Sequence, residues 1–469
     1  MTQSALHVDL YQLTSLVAHH RAGRDRMPVT MAFFSRRLPG GDTPVRSFVL
    51  QAALKRCLSW LQEARFDEDQ LAALQAQPAL HGRIPPELLM RLANWRFAGI
   101  IDGALDGTLI HAGRALADGG PIDASGVKPT AYVPYLQVQT DLLSAKLIET
   151  PLLSLLNYMN MVASKATRVV AAAGHRPVYE FGTRRTHPHA AVDAALAAFI
   201  GGCAGTSNVE AFRRYGVPAL GTMDHFAVQA WEEPSRPLWE TERAFFREFS
   251  EIWPGGGVLL VDTYDTFGRR TGIRNAVAAV GPGLNGIRID SGISRESLQR
   301  ARVLLNELGA TNARIVVSGG MDEHTIAALG DAPCDAFGVG ERIVCSPDAP
   351  VGVGAVAKLV EVNGRPTMKL SRGSGKATLP GRLQAWITEA GLVVGLASER
   401  LPGRPLLLRV WEGDGPCIED DALGARARAR AAIGSLTEAD RQPHAEGVRV
   451  TPTLESLIRS LAARADDDL

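Results

Sequence analysis

Cysteine is scarce in this sequence: five in 469 residues (Cys57, Cys203, Cys334, Cys345 and Cys417), odd in number, widely spaced and never in a C-x-x-C pair. That excludes a legible disulfide framework or zinc knuckle and leaves reduced thiols as the expectation. An excess of charge of either sign is also missing, since 50 Lys and Arg stand against 50 Asp and Glu. A neutral chain is a poor match for a nucleic-acid backbone. No apolar run approaches the ~18 residues needed to cross a bilayer, and the opening MTQSALHVDLYQL lacks the apolar core of a secretion signal. The expectation is a cytoplasmic protein with neither a membrane nor a nucleic acid as partner. Internal repeats and low-complexity tracts are absent too. What remains is an ordinary globular composition, 46% apolar and 21% charged, in a chain longer than single cores usually grow. About two domains and a deep active site fit that length.

From about residue 175 to 345 short β-branched runs alternate with helical stretches, the pattern of parallel βα units. The expected strands are Val178 to Phe181, Ala219 to Thr222, Val258 to Asp262, Gly286 to Asp290, Ile315 to Ser318 and Ala336 to Gly338. Pro188 to Ile200 reads as a crossover helix, with Pro at its start and Gly201 just past its end. Such a series closes as a barrel or spreads as a doubly wound sheet. The barrel is favoured because nearly every strand ends on a polar residue (Glu180, Thr222, Asp262, Asp290, Ser318), where α/β architectures collect their chemistry. The plainer alternative is that Asp, Ser and Thr there cap helices; Asp262 is read that way, and Ser318 stands evenly between the two.

Residues 1 to about 140 read as a separate N-terminal domain with Gly/Pro-rich connections at Leu38 to Pro44 and Gly119 to Pro129. A long, largely apolar helix is expected from Thr150, as N-cap ahead of Pro151, to Gly174. Asn363 to Arg382 looks like a loop over an anion or a crossover. The closing TPTLESLIRSLAAR sets Leu454, Leu457, Ile458 and Leu461 on one helical face, so the end of the chain should dock.

Five segments carry candidate chemistry. In EFGTRR, Arg184 and Arg185 follow a strand and Phe181, where guanidinium forks beside a flat apolar ring suit a heteroaromatic acid. LGTMDHF delivers His225 just past a strand end, a place for a base, nucleophile or phosphoryl acceptor. GIRIDSG sets Arg288 and Asp290 on one face of a strand, because alternate residues point the same way. SGGMDE (from Ser318) and FGVGER (from Phe337) are consecutive glycine-rich strand-to-helix turns, which cradle phosphate with backbone amides. Most other histidines, His7, His19, His20, His187, His189 and His324 among them, read as structural, and no metal site is expected at the His187/His189 pair. Two decoys are set aside. Gly352 to Ala357 fits G-x-G-x-x-A without the preceding strand, and Gly373 to Ala377 lacks the spacing of a phosphate loop.

With these residues in hand, the chain resembles the nicotinate phosphoribosyltransferases. The matching segments run in order from DLYQLT (Asp9) through FFSRRLP (Phe33), IETPLLSLLN (Ile148), EFGTRR, GTSNVEA (Gly205), GTMDH, RIDSG, SGGMDE and FGVGER to KATLPG (Lys376). The resemblance implies an irregular, TIM-like α/β barrel of the type II phosphoribosyltransferase kind beside an N-terminal α/β domain. The division would be residues 1–140, 141–360 and 361–469, the last packing back on the first. It implies homodimers with active sites at the subunit interface, and nicotinate, phosphoribosyl pyrophosphate and ATP as substrates, with Mg2+ accompanying the pyrophosphate. By the same resemblance His225 is the histidine phosphorylated by ATP, and Phe181 and a neighbouring subunit's Tyr11 sandwich the pyridine ring. Arg184, Ser207, Thr222 and Arg288 bind substrate, Asp290 holds ribose hydroxyls, and Ser318, Gly319, Gly320, Gly338 and Gly340 hold the 5′-phosphate. The sequence departs from the family pattern at Asp224, Phe226 and Ile293. The rival readings are a nicotinamide phosphoribosyltransferase and a catalytically silent relative that binds phosphoribosyl compounds.

Overall fold

The computed structural model describes residues 4–35, 48–111, 114–115, 130–253, 257–345, 354–370, 377–389, 391–435 and 448–468. The connections expected at Leu38 to Pro44 and Gly119 to Pro129, and Gly373 to Lys376, lie outside them. The chain forms two compact units, residues 165–347 and residues 1–164 with 348–469.

Residues 165–347 carry a mixed α/β fold on a six-stranded sheet, ordered Val258–Leu260, Gly286–Ile289, Arg314–Val317, Ala336–Val339, Val178–Glu180, Gly205–Thr206. Every pairing in it is parallel. The last strand in sequence therefore lies against the first, and an isolated parallel bridge from Thr206 to Ala219 extends the far edge. These strands form because their residues are buried on both faces: Val178, Leu260, Ile287, Ile315, Val317, Phe337 and Val339 are all in the core. The expected Ala219 to Thr222 strand is reduced to that single bridge. Pro218 has no N–H to give a ladder and only its carbonyl is used, by Thr206 N. The two-residue Gly205–Thr206 strand is too short to leave a period in the sequence. Pro188–Ile200 is helical with Gly201 at its C-cap, as expected.

In the other unit a seven-stranded antiparallel sheet runs Arg365–Pro366, Ala355–Val362, Pro28–Ser35, Leu136–Asp141, Gly99–Gly103, Leu408–Gly413, Gly415–Pro416. Strands from late in the chain thus flank strands from its beginning, around a core that includes Phe33, Phe34, Leu136, Val138, Ile101 and Trp411. Ala355 opens an antiparallel strand where a dinucleotide motif needs a helix. The C-terminal helix, Pro452–Asp468, buries Leu454 and Ile458, with Leu457 and Leu461 half-buried on the same side.

The long helix starts earlier than Thr150. It spans Leu142–Ala173, with Pro151 inside it. Its start is fixed by Asp141, whose Oδ1 accepts from Ser144 N at 2.7 Å. Thr150 serves another helix: its hydroxyl donates to Asp9 Oδ2 at 2.8 Å and accepts from Asp9 N, the N-cap residue of Leu10–Arg21. A proline inside a helix costs about 3 kcal/mol, and the buried side chains of Leu147, Ile148, Leu152, Leu156 and Met159 around it offset that cost. No helix among the described residues is long and apolar enough to cross a membrane.

Candidate active site

The carboxyl ends of the parallel strands open into a cavity of about 530 Å³ within residues 165–347. Phe181, Arg184, Ser207, Thr222, His225, Arg288, Asp290, Ser318, Gly319, Gly320, Gly338 and Gly340 all line it. Tyr11 does not. It belongs to the other unit, on the helix Leu10–Arg21, where it is 58% exposed.

Each wall has a local cause. At the end of Val178–Glu180 the buried Glu180 carboxylate accepts from Thr206 Oγ1 at 2.6 Å and from Gly182 N, folding the chain back so that Phe181 and the arginines after it reach the cavity. Burial raises the pKa of Glu180 while those hydrogen bonds oppose the rise. Phe181 packs flat on Gly338, where any Cβ would collide with its ring. That glycine is needed for close approach.

Arg288 reaches in from the next wall. Its Nη1 donates to Thr222 Oγ1 at 2.7 Å, while its buried Nε has no hydrogen-bond partner among the described residues. Burial lowers its pKa, Asp290 and Asp262 raise it, and the neighbouring Arg184 adds to the lowering. A guanidinium with an unused donor beside a second cation is poised for an anion. Asp290, two residues on, accepts from Ser318 Oγ, and Gly319 at φ 89 passes so close to the Asp290 carbonyl that a side chain there would clash. The Asp290 carboxylate and the first glycine turn are thereby one assembly.

His225 begins a short helix whose N-cap is Asp224, accepting from Ala227 N at 2.7 Å. The departure at Asp224 therefore has a structural cause. Phe226 beside it is 77% exposed, and Ile293 lines a smaller cleft of about 210 Å³ that shares Asp290, Gly319, Gly320 and Met321 with the main cavity. The His225 Nδ1 lies 3.1 Å from Thr263 Oγ1.

One reading of the sequence is corrected here. Asp262 is not a helix cap, because turns follow it and the next helix begins at Gly272. Its Oδ2 accepts instead from Asp290 N at 3.0 Å and Ser291 Oγ at 2.6 Å, and its Oδ1 faces His225. The strand-end pattern that singled out Asp290 applied equally to it. The helix Val209–Tyr215 is capped by Asn208, accepting from Ala211 N, which leaves the Ser207 side chain uninvolved in the cap. Ser207 Oγ stands 3.4 Å from Thr183 Oγ1 on the cavity wall. Thr183, Arg185, Glu341 and Arg342 also line the cavity, and the sequence signals for the last two lay in FGVGER itself.

The sequence matches the Nicotinate phosphoribosyltransferase (NAPRTase) family over residues 177–414 and the N-terminal domain of that family over residues 6–117. The chain belongs to the nicotinate phosphoribosyltransferase family. It is 38% identical over 461 residues to a nicotinate phosphoribosyltransferase of Mycobacterium tuberculosis, covering 96% of this chain and 93% of that protein. The Bacillus subtilis nicotinate phosphoribosyltransferase is 33% identical, over 81% of this chain and 72% of its own. Among solved structures, human Nicotinic Acid Phosphoribosyltransferase superposes with a TM-score of 0.79 at 25% identity, over 97% of this chain and 99% of that one. A nicotinate-nucleotide pyrophosphorylase from Pyrococcus furiosus shares the fold, with a TM-score of 0.70 at 24% identity over 92% and 95% of the two chains. The cavity's cations, carboxylates and glycine turns all come from one compact unit.

Proposed function

We propose that this chain joins nicotinate to the ribose of phosphoribosyl pyrophosphate, releasing pyrophosphate in the salvage of pyridine nucleotides, and couples the transfer to ATP through a phosphate carried on His225. One observation carries the reading: Phe181 with Arg184 and Arg288, and Asp290 with the turns at Gly319–Gly320 and Gly338–Gly340, line the same cavity. One set suits a flat ring bearing a carboxylate, the other a ribose phosphate.

In the reaction the bond from ribose C1 to pyrophosphate breaks as the pyridine nitrogen lends its electron pair to an oxocarbenium-like C1. The nitrogen carries no proton, so no general base is required. Arg184 and Arg288 neutralise the carboxylate, Phe181 aligns the ring, and Asp290 holds the ribose hydroxyls beside the developing positive charge. Positioning and fixed charge supply the catalysis. Magnesium enters with the diphosphate as part of the substrate. A diphosphate-bound magnesium needs only one or two protein carboxylates, and Asp290, on the cavity wall, would supply one. His225 stands outside the displacement. Its phosphorylation by ATP, and later hydrolysis, would bias the product equilibrium and tighten substrate binding.

The pairing of the last parallel strand with the first supports an irregular barrel. Its remaining seam would lie between Ala219 and Val258–Leu260, where Leu260 N already approaches Met223 Sδ at 3.4 Å. The exposed Tyr11 supports a homodimer in which it covers a neighbouring subunit's ring site. The three-part division at residues 140 and 360, and action in the cytoplasm, belong to the same reading. The Ser207 hydroxyl on the cavity wall favours nicotinate over nicotinamide. The test is an assay mixing the full chain with nicotinate, phosphoribosyl pyrophosphate, magnesium and ATP and following pyrophosphate and mononucleotide. Release of neither product would end the proposal.

A further inference from the structure

Three residues past Gly320 the unit holds a buried ion cluster that takes no part in the displacement. Lys165 and Arg168 lie one turn apart near the end of the long helix, and Glu323 is the first residue of the helix Glu323–Leu329. Lys165 Nζ is 2.7 Å from the Glu323 carboxylate, Arg168 Nη2 is 3.0 Å from it, and the Lys165 and Glu323 side chains are 3% and 7% exposed. Such clusters seldom add net stability, because desolvating the charges costs about as much as their attraction returns; two apolar side chains of like volume would hold these helices as well. What the charges supply is registry, since a carboxylate gripped by two cations has one place to sit.

Registry matters at this point of the fold. The turn between strand and helix has two successive positive-φ glycines, Gly319 at 89° and Gly320 at 69°. Its upstream end is tied by Ser318 to Asp290, and its downstream end is organised by Asp322, whose side chain accepts from His324 N and Thr325 N. Glu323 adds the tie from this helix to the long helix. Backbone amides bind phosphate only where their directions converge, so a shift of the helix by a fraction of an ångström moves the donors.

We propose that Glu323, gripped by Lys165 and Arg168, is a positioning residue for the 5′-phosphate, holding the Gly319–Gly320 amides in register through the helix it starts. The inference rests on the functional reading above. The probe is ribose 5-phosphate, which carries that phosphate and lacks the pyrophosphate, titrated calorimetrically into the full chain. Glu323→Gln keeps the volume and removes the charge; it is expected to weaken ribose 5-phosphate at least about 10-fold and to raise the KM for phosphoribosyl pyrophosphate similarly, with the KM for nicotinate within about twofold. Because that variant leaves a buried cation facing a neutral amide and can unfold, Lys165→Met/Glu323→Met, which leaves only the partly exposed Arg168 beside the new apolar pair, is the second, expected to fold and to show the same loss of affinity. A folded double variant with native ribose 5-phosphate affinity overturns the proposal. A wild-type chain that binds ribose 5-phosphate nowhere and makes no nucleotide overturns the functional reading, a different result.

Discussion

His225 Nε2 stands 3.8 Å from Asp262 Oδ1, a buried oxygen that has no hydrogen-bond partner among the described residues. The imidazole is 40% exposed and the carboxylate 2%. A solvent-exposed ring thus faces a buried carboxylate. The same carboxylate holds Asp290 N and Ser291 Oγ. His225 and the Asp290–Ser291 loop therefore share one side chain.

Asp262→Asn keeps an oxygen for Asp290 N and removes the charge facing His225. ATP hydrolysis should fall roughly 10- to 100-fold, with acid-labile phosphate on the protein falling in parallel. Phosphate release and retention of labelled phosphate measure the two. A variant with native ATP hydrolysis would leave Asp262 as a loop tie alone.

His225→Ala should abolish ATP hydrolysis and the gain in substrate affinity that ATP brings, while slow transfer without ATP persists. In the proposed mechanism the imidazole lies outside the displacement at C1, so its removal would take away coupling and spare chemistry. Comparing mononucleotide formation with and without ATP in both proteins decides this. Total loss of the ATP-independent rate would assign the histidine to the transfer itself.

Local rules could be read from the sequence wherever one signal acted alone. Pro188 and Gly201 bracket a helix by their own backbone limits, and the structure keeps those bounds. Thr150-Pro151 looked equally decisive, yet Asp141 supplies the earlier cap and the buried face carries the helix through the proline. At Ala219 the expected strand follows Pro218, whose missing N–H leaves one bridge. The cavity's residues were visible as strand-end polar groups because parallel sheets place those ends together. Asp262 needed coordinates, since a cap and a site residue share one signature until the next helix is seen to begin at Gly272.

Asp106 offers a pH test of the other unit. Its two oxygens accept from Leu54 N and Lys55 N at the start of the helix Leu54–Glu63, and burial raises its pKa from 3.8 to about 6 against those bonds. The folded value lies above the unfolded one, so this group's contribution is whole below about 3.8 and disappears as pH rises through about 6. A displacement of that size is worth about 3 kcal/mol. Asp106→Asn loses one acceptor at every pH but has no proton to lose. Its stability deficit relative to wild type should therefore shrink between pH 4 and 7, as measured by denaturant unfolding across that range. A constant deficit would mean that Asp106 titrates normally.

The choice between acid and amide rests on Ser207. Asn208 caps the helix that follows, so the serine hydroxyl is left to the cavity, 3.4 Å from Thr183 Oγ1 and on the same walls as Arg184 and Phe181. A hydroxyl can donate to a carboxylate or accept from an amide, whereas an aspartate at this position can only accept. Facing nicotinate, that aspartate would set two carboxylates near each other in a partly shielded site, and like charges there are strongly unfavourable. Facing nicotinamide, it would take a hydrogen bond from the NH₂. Ser207→Asp should lower kcat/KM for nicotinate on the order of 100-fold or more, as a clash of several kcal/mol requires, and should narrow or invert the preference over nicotinamide. Because Asn208 keeps its cap, the thermal stability of the variant should stay near that of wild type, which separates a specificity effect from a folding one. Both substrates are measured on both proteins. An unchanged ratio of the two kcat/KM values would move the source of selectivity away from Ser207, to the arginines at 184 and 288.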